Sequence, residues 1–452
     1  MIKPIRNIYI HLPFCKKKCS FCDFSVYAIG NSSNHHVNNH TQTLYKNYIE
    51  TLIKEVRYIG RKYPQLFNQI PTDVNSKKNS IYFGGGTPSL LPAEYIELIL
   101  NEIKQITNFN FSDTEISLET DPGTFDDNKL LTYHQLGINR ITMGVQSLDP
   151  AVLVNLNRSH SLDETKMSLE IINRSKFRNS FGIDFIHGLP NQDLNSIKRD
   201  FEYLSKYIIP HLSIYMLSLE KNSSLFKKYD KVYKSTTKQE EIADMFIWTY
   251  NYLKEKYDHY EISNYAFKKV QNVDPVDQCN NYLPHNNHSI HNTSYWDGFS
   301  NFYGFGSSAS SFFCGNRFKK PKSIKKYFKF VDDISNDDNY FDNYMRNIND
   351  SSELNEDGDY TNDHPEVKEL KYVLLNQIRT KNGINLSQIN CNFSKYSPKI
   401  LQFFEDLKND NYLGKYIRTH YLGSESYVSV EFTEGILLSD EILVRLFIFA
   451  FN

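Results

Sequence analysis

Six short apolar segments, each followed by an amphipathic stretch, constrain this 452-residue chain more than any other feature of its sequence. The segments are Ile8–Leu12, Ser80–Gly84, Glu115–Thr120, Arg140–Val145, Gly182–His187 and Leu212–Leu217. Each is rich in β-branched or aromatic residues, and several end at glycine, proline or a polar residue, which is the pattern of buried strands. Between them, Leu44–Tyr63, Ala93–Ile106, Asp163–Asn173, Leu194–Tyr207 and Gln239–Lys256 carry helical periodicity. Strand then helix, repeated six times, predicts a parallel sheet with helices on its outer face. The count falls short of the eight units that close a barrel. The expected fold class is therefore α/β, a partial (β/α)6 TIM-like barrel.

Past Glu220 the alternation stops, so residues 1–220 are assigned to the barrel core. Residues 221–331 are read as a barrel extension, with Tyr-, Phe-, Asn- and Gly-rich strands and loops over 258–318. Asp332 to Glu366 is dominated by Asp and Asn and predicts a polar linker or surface loop. Asn31–His40 and Gln271–Asn292 are similar polar insertions. Apolar periodicity returns from Val367, predicting a small, mostly helical domain over 367–452, with a hairpin near Tyr412–Phe432. That domain is expected to cover the open mouth of the barrel.

With 51 basic and 53 acidic residues the formal charge is −2, which points to neither a nucleic-acid partner nor an acidic membrane surface. No apolar run approaches the roughly 18 residues of a membrane span; Ile442–Phe449 is short and interrupted by Arg445. Because strand character begins by Asn7, little room is left for a leader. A cytosolic location is expected, with a mitochondrial one as the alternative. Six cysteines do not make a disulfide framework in so long a chain. Three crowd into eight residues, while Cys279, Cys314 and Cys391 are scattered.

The crowded three form Cys15-x3-Cys19-x2-Cys22, a loop directly after the first strand. Three thiolates on one loop hold three irons of a cubane and leave the fourth iron open. Zinc with His11 as fourth ligand is the alternative, but such sites usually draw ligands from two knuckles, and no second knuckle lies nearby. Ligands in parallel α/β folds sit at the carboxyl ends of strands, and the other polar motifs gather there. Gly84-Gly85-Gly86-Thr87-Pro88 ends the second strand; it lacks the ending of a phosphate loop and, alone, reads as a tight turn. Glu119 ends the third strand, Gln146 the fourth, and Asp184 lies in the fifth. Singly, these and Arg158 read as ordinary surface charges. Together they offer acceptors for ribose hydroxyls and a guanidinium for a carboxylate, as an adenosylated amino acid requires. Tyr9 points towards the same rim.

On these motifs the chain resembles the radical S-adenosylmethionine proteins of the HemN/HemW group. The resemblance runs from Tyr9-Ile10-His11-Leu12-Pro13-Phe14-Cys15 to Thr433-Glu434-Gly435, through Phe83–Ser89, Glu119–Pro122, Met143–Ser147, Asn157–His160 and Asp184–Pro190 in order. It implies a [4Fe-4S] cluster on Cys15, Cys19 and Cys22, with S-adenosylmethionine on the open iron. It carries Tyr9, Phe21, Gly85, Gly86, Thr87, Glu119, Gln146, Arg158 and Asp184 over as cofactor contacts. Two branches share the scaffold: an oxygen-independent coproporphyrinogen III oxidase, and a haem chaperone that binds haem and delivers it to an acceptor haemoprotein. Oxidases typically carry a fourth cysteine two residues after the third; here Phe24 stands in that place, the chaperone-like pattern. His291-Asn292-Thr293-Ser294-Tyr295-Trp296 matches a chaperone-branch motif linked to haem, which makes His291 a candidate haem contact, while His285 and His288 read as solvated. The resemblance further implies an electron donor for the cluster and allows a homodimer. A radical enzyme acting on another substrate is the third reading.

Overall fold

Alternation within the strands decides the architecture of the chain, seen here in a computed structural model that describes residues 4–30, 39–67, 79–268, 287–313, 316–350 and 364–451. Among these residues the strands run, in chain order, β1 (Ile5–Leu12), β2 (Phe14–Cys15), β3 (Tyr27–Ala28), β4 (Ser80–Gly85), β5 (Glu115–Thr120), β6 (Arg140–Gln146), β7 (Phe181–His187) and β8 (His211–Met216). They continue with β9 (Tyr257–Glu261), β10 (Asn264–Phe267), β11 (Asn301–Phe305), β12 (Ser310–Phe313), β13 (Asn316–Lys319), β14 (Ile384–Asn385), β15 (Ile417–Leu422) and β16 (Glu425–Val430). One eleven-stranded sheet has the order β13-β12-β11-β1-β4-β5-β6-β7-β8-β10-β9. It is open, as its linear order requires.

All six predicted strands form, and all are parallel. Ile8, Ile10 and Leu12 of β1, Ile81 and Phe83 of β4, Ile116 and Leu118 of β5, and Ile141, Met143 and Val145 of β6 are essentially fully buried. They face helices such as Asn39–Lys62 and Ala93–Ile106, and each such side chain contributes roughly 1.5–3 kcal/mol. The intervening residues point to the concave face. That set is polar: Tyr9 and His11, Tyr82, Ser117 and Glu119, Thr142, Asp184, Ser213 and Tyr215. A period of two thus sorts the chain into a structural face and a face left for chemistry.

The sheet has a seventh parallel strand. β11 pairs with β1 and places β12 and β13 beyond it, so the Tyr- and Phe-rich extension continues the sheet. Glu55 anchors this edge from the helix Asn39–Lys62. Its carboxylate meets Lys320 Nζ at 3.1 Å with both side chains fully buried, and it accepts from Tyr303, Tyr327 and the Gly306 amide.

The linker expected from Asp332 is corrected as far as Asp350. Helices Ile324–Asn336 and Tyr340–Asp350 occupy it. Aromatic spacing outweighs the Asp and Asn content: Phe330, Val331, Ile334 and Phe341 are buried against the barrel. The rest of the expected linker to 363, most of the two polar insertions, Cys279, Cys314 and His285 lie outside the described residues. His288 is not simply solvated: Nε2 lies 2.9 Å from Asp258 Oδ2, and the ring stacks on Tyr260 at 4.1 Å.

Residues beyond 364 build a second core, with helices Pro365–Gln377, Ser397–Lys408 and Ser439–Phe451 around the β15–β16 hairpin. At the carboxyl end of β8, Met216 packs with Phe432, Ile436 and Leu437 of this domain. Tyr372 packs on Phe312 and beneath Arg317 at one sheet edge. At the other edge, Ile262 donates to the Arg379 carbonyl and Lys381 to the Tyr260 carbonyl. The domain bridges the two edges of the open barrel, where unpaired strand ends most need cover.

Candidate functional site

The cysteine loop leaves β1 and is tied down along both sides. Tyr27 and Ile29 donate to the Pro13 and Cys15 carbonyls, and the Ser20 amide donates to Leu156. Asn157 Nδ2 donates to the Lys18 carbonyl at 2.9 Å. Phe21 turns inward and packs against Val152, Leu156, Ile186 and Leu189. Phe24 stays 69% exposed.

The glycine loop closes against the same segment. Gly86 and Thr87 donate to the Leu12 and Phe14 carbonyls at 2.9 and 2.7 Å. A Cβ on Gly86 would stand 2.6 Å from Phe14 O, and Gly85 holds φ +108° with His11 only 2.3 Å from where its Cβ would be. Only glycine meets both demands. Thr87 Oγ1 lies 3.8 Å from Cys15 Sγ and 3.1 Å from Asp121 Oδ2.

Arg158 links the loop to the strand ends. Nη1 donates to Cys19 Sγ at 3.3 Å, and Nη2 donates to Asp121 Oδ1 and the Gly144 carbonyl, each at 2.6 Å. Burial opposes its charge, but the Asp121 carboxylate and the Cys19 sulfur hold its pKa above the ordinary value. Beside Gly144, Gln146 adopts φ +69° at a register shift between β6 and β7. A left-handed conformation at a non-glycine residue is strained, and such strain clusters at functional sites.

Glu119 accepts from Tyr82 at 2.9 Å and from the Gly85 amide at 3.0 Å. Burial first, and Asp184 second, push its carboxyl up to about 8 despite these donors. Burial likewise lifts Asp184 to about 7, and its Oδ1 has no partner among the described residues. A buried acceptor without a donor calls for one.

These residues fit an iron–sulfur cluster and an adenosylated amino acid. Burial pushes the Cys15 thiol up to about 12, and Asp121, Cys19 and Cys22 raise it further, so the sulfurs share one electrostatic site. Burial raises Cys22 as well. Thiols so placed ionise when a metal supplies the positive charge. Among the described residues no three His, Cys, Asp or Glu side chains converge as one metal ion requires. His11 offers no spare nitrogen, since Nδ1 meets Tyr9 OH at 3.1 Å and Nε2 meets the Ser25 carbonyl at 3.2 Å.

Tyr9, Phe21, Gly85, Gly86, Thr87, Glu119, Gln146, Arg158 and Asp184 all lie on the three cysteines' side of the sheet or just beneath it. His291 does not. It lies at the opposite, amino end of the strands, 3% exposed, with Nδ1 2.9 Å from Ser80 Oγ and Nε2 3.0 Å from Tyr295 OH. Burial lowers its pKa to about 3. In this conformation neither ring nitrogen is free for iron. Asp121 is the site residue that sequence reasoning missed. It lies within the segment Glu119–Pro122, and a carboxylate just past a strand end is its signal in the sequence.

A parallel sheet with three cysteines, a glycine loop and an acidic cluster at one rim defines a radical S-adenosylmethionine protein, and residues 9–204 match the Radical SAM superfamily. The haem chaperone HemW of Buchnera aphidicola (from Schizaphis graminum) is 32% identical over 68% of this chain and 70% of its own length. Escherichia coli HemW, also called a haem chaperone, is 30% identical over 68% and 71%. The chain belongs to the HemW family of radical S-adenosylmethionine proteins. In fold it is similar to coproporphyrinogen III oxidase (HemN) of Escherichia coli, a radical SAM enzyme, with TM-score 0.67 and 18% identity over 98% of this chain and 90% of that one. Family membership implies the [4Fe-4S] cluster and S-adenosylmethionine.

Proposed function

We propose that this chain is a haem chaperone: it binds haem and passes it to an acceptor haemoprotein, on a scaffold that also holds a [4Fe-4S] cluster and S-adenosylmethionine. The carrying observation is a rim with three cysteines and an exposed Phe24 where the oxidase branch has a fourth cysteine. Relatives at about a third identity called haem chaperones support the same branch. A cytosolic location belongs to this reading, and so do an electron donor for the cluster and a homodimer. Among the described residues no helix is long and apolar enough to cross a membrane.

Cys15, Cys19 and Cys22 would hold the cluster, which supplies, when bound and reduced, the single electron that cleavage of a sulfonium needs. The chain's own residues orient the partner molecule. Gly85 and Gly86 let backbone approach it, and Glu119 and Asp184 accept its hydroxyls. Arg158, already shared between Cys19 and Asp121, fixes the charge balance of the rim. Tyr9, Phe21, Thr87 and Gln146 complete the contact surface.

Glu119 accepts hydroxyls best when ionised. With its carboxyl at about 8, binding of S-adenosylmethionine should release a proton, and affinity should rise with pH and level off above that value. At pH 7 it should be about tenfold below the plateau. Equilibrium dialysis at pH 7 and 9 measures this; Glu119→Gln should leave only the smaller rise from Asp184, whose carboxyl lies at about 7, and a flat wild-type profile would remove Glu119 from the contact set.

Anaerobic haem titration of the reconstituted protein tests the function, with transfer to an apo-haemoprotein as the second readout. Stoichiometric uptake and transfer are expected, with coproporphyrinogen III left unchanged. Decarboxylation of that substrate would overturn the chaperone reading in favour of the oxidase one.

A further inference from the structure

We infer that His291 is a positioning residue for the S-adenosylmethionine pocket: from the amino end of the sheet it holds the Tyr82 ring that aims a hydroxyl at Glu119. This rests on the reading of Glu119 as a cofactor contact and assigns the histidine a role apart from haem ligation.

The imidazole lies parallel to the Tyr82 ring, with centroids 4.6 Å apart and planes 19° off parallel. Tyr9 is roughly parallel to both rings, at 6.2 Å from Tyr82 and 6.3 Å from His291. The hydroxyl of the same Tyr82 ring donates to Glu119 at 2.9 Å. That bond consumes one lone pair of a buried carboxylate and so fixes which oxygen sites remain for a ligand.

The base of the stack is rigid. Ser80 Oγ donates to Asn7 Oδ1 at 2.9 Å and therefore accepts from His291 Nδ1, leaving Nε2 to accept from Tyr295. The neutral ring is thus pinned at both nitrogens. Its backbone is held as firmly, since the Ile290 and His291 amides donate to Glu115 at 3.1 and 3.0 Å. Glu115 begins β5, and Glu119 stands four residues further along the same strand. The segment carrying His291 therefore plugs the barrel floor, and its ring reaches the cofactor layer through a single side chain.

The test uses the anaerobically reconstituted full chain, with S-adenosylmethionine affinity read by equilibrium dialysis and iron and sulfide counted in parallel. His291→Ala and Tyr82→Phe should each weaken binding about tenfold, as expected for loss of a hydrogen bond to a charged group, at unchanged iron content. The double variant should be no weaker than either single one, because both remove the same oriented donor. His291→Phe, which keeps a ring under Tyr82, should recover most of the affinity. Unchanged affinity in His291→Ala, additive losses, or iron loss in every His291 variant would each overturn the inference. Failure of the wild-type chain to bind S-adenosylmethionine would instead sink the cofactor reading on which it stands.

Discussion

Replacing Cys19 with alanine is expected to abolish cluster assembly while leaving the barrel folded. Cys19 sits half-exposed on the rim loop, outside the hydrophobic core. Its sulfur contacts Arg158, which keeps Asp121 and the Gly144 carbonyl as partners when the thiol is removed. Two thiolates on one short loop do not replace three, because each binds a separate iron. Anaerobic reconstitution should therefore yield essentially no bound iron or sulfide, against a full complement in the wild type. The far-ultraviolet circular dichroism of the apo forms should superimpose. Retention of the cluster would mean that another residue ligates it, and loss of helical signal would mean that the loop is structural.

Arg158→Met should cost about 3–5 kcal/mol of stability in the apo protein, the range for removing one partner of a buried pair. The guanidinium side chain is 7% exposed and that of Asp121 16%. Methionine fills much of the volume but leaves the Asp121 carboxylate and the Gly144 carbonyl without their donor. The Thr87 hydroxyl, 3.1 Å from the other Asp121 oxygen, offsets part of that loss. The midpoint of urea unfolding measures the effect, compared through a common slope. A change under about 1 kcal/mol would show that water replaces the guanidinium, and that the rim is wetter than its burial implies.

The parallel strands were legible because each encodes its own burial: Ile8, Ile10 and Leu12 alternate with Tyr9 and His11, whatever the rest of the chain does. The cysteine spacing and the glycine loop were legible for the same local reason. What escaped depended on partners far away in sequence. β11 reads as aromatic loop until β1 offers it a free edge, and Glu55, some 250 residues earlier, anchors that edge from below. Tyr340–Asp350 reads as polar until Phe341 finds the barrel. His291 reads as a loop histidine beside a haem-linked motif. Its actual neighbours, Ser80 and Tyr82, lie more than 200 residues before it. Asp121 reads as one more strand-end carboxylate until the fold shares it between Thr87 and Arg158.

The most direct test of the three-cysteine rim is electron paramagnetic resonance of the reduced, anaerobically reconstituted protein, recorded with and without S-adenosylmethionine and paired with iron and sulfide analysis. About four irons and four sulfides per chain are expected, with a cluster signal that changes when S-adenosylmethionine is added, because the open iron gains ligands. A protein that retains no iron, that holds a single zinc, or whose cluster signal is indifferent to S-adenosylmethionine would contradict the assignment of Cys15, Cys19 and Cys22.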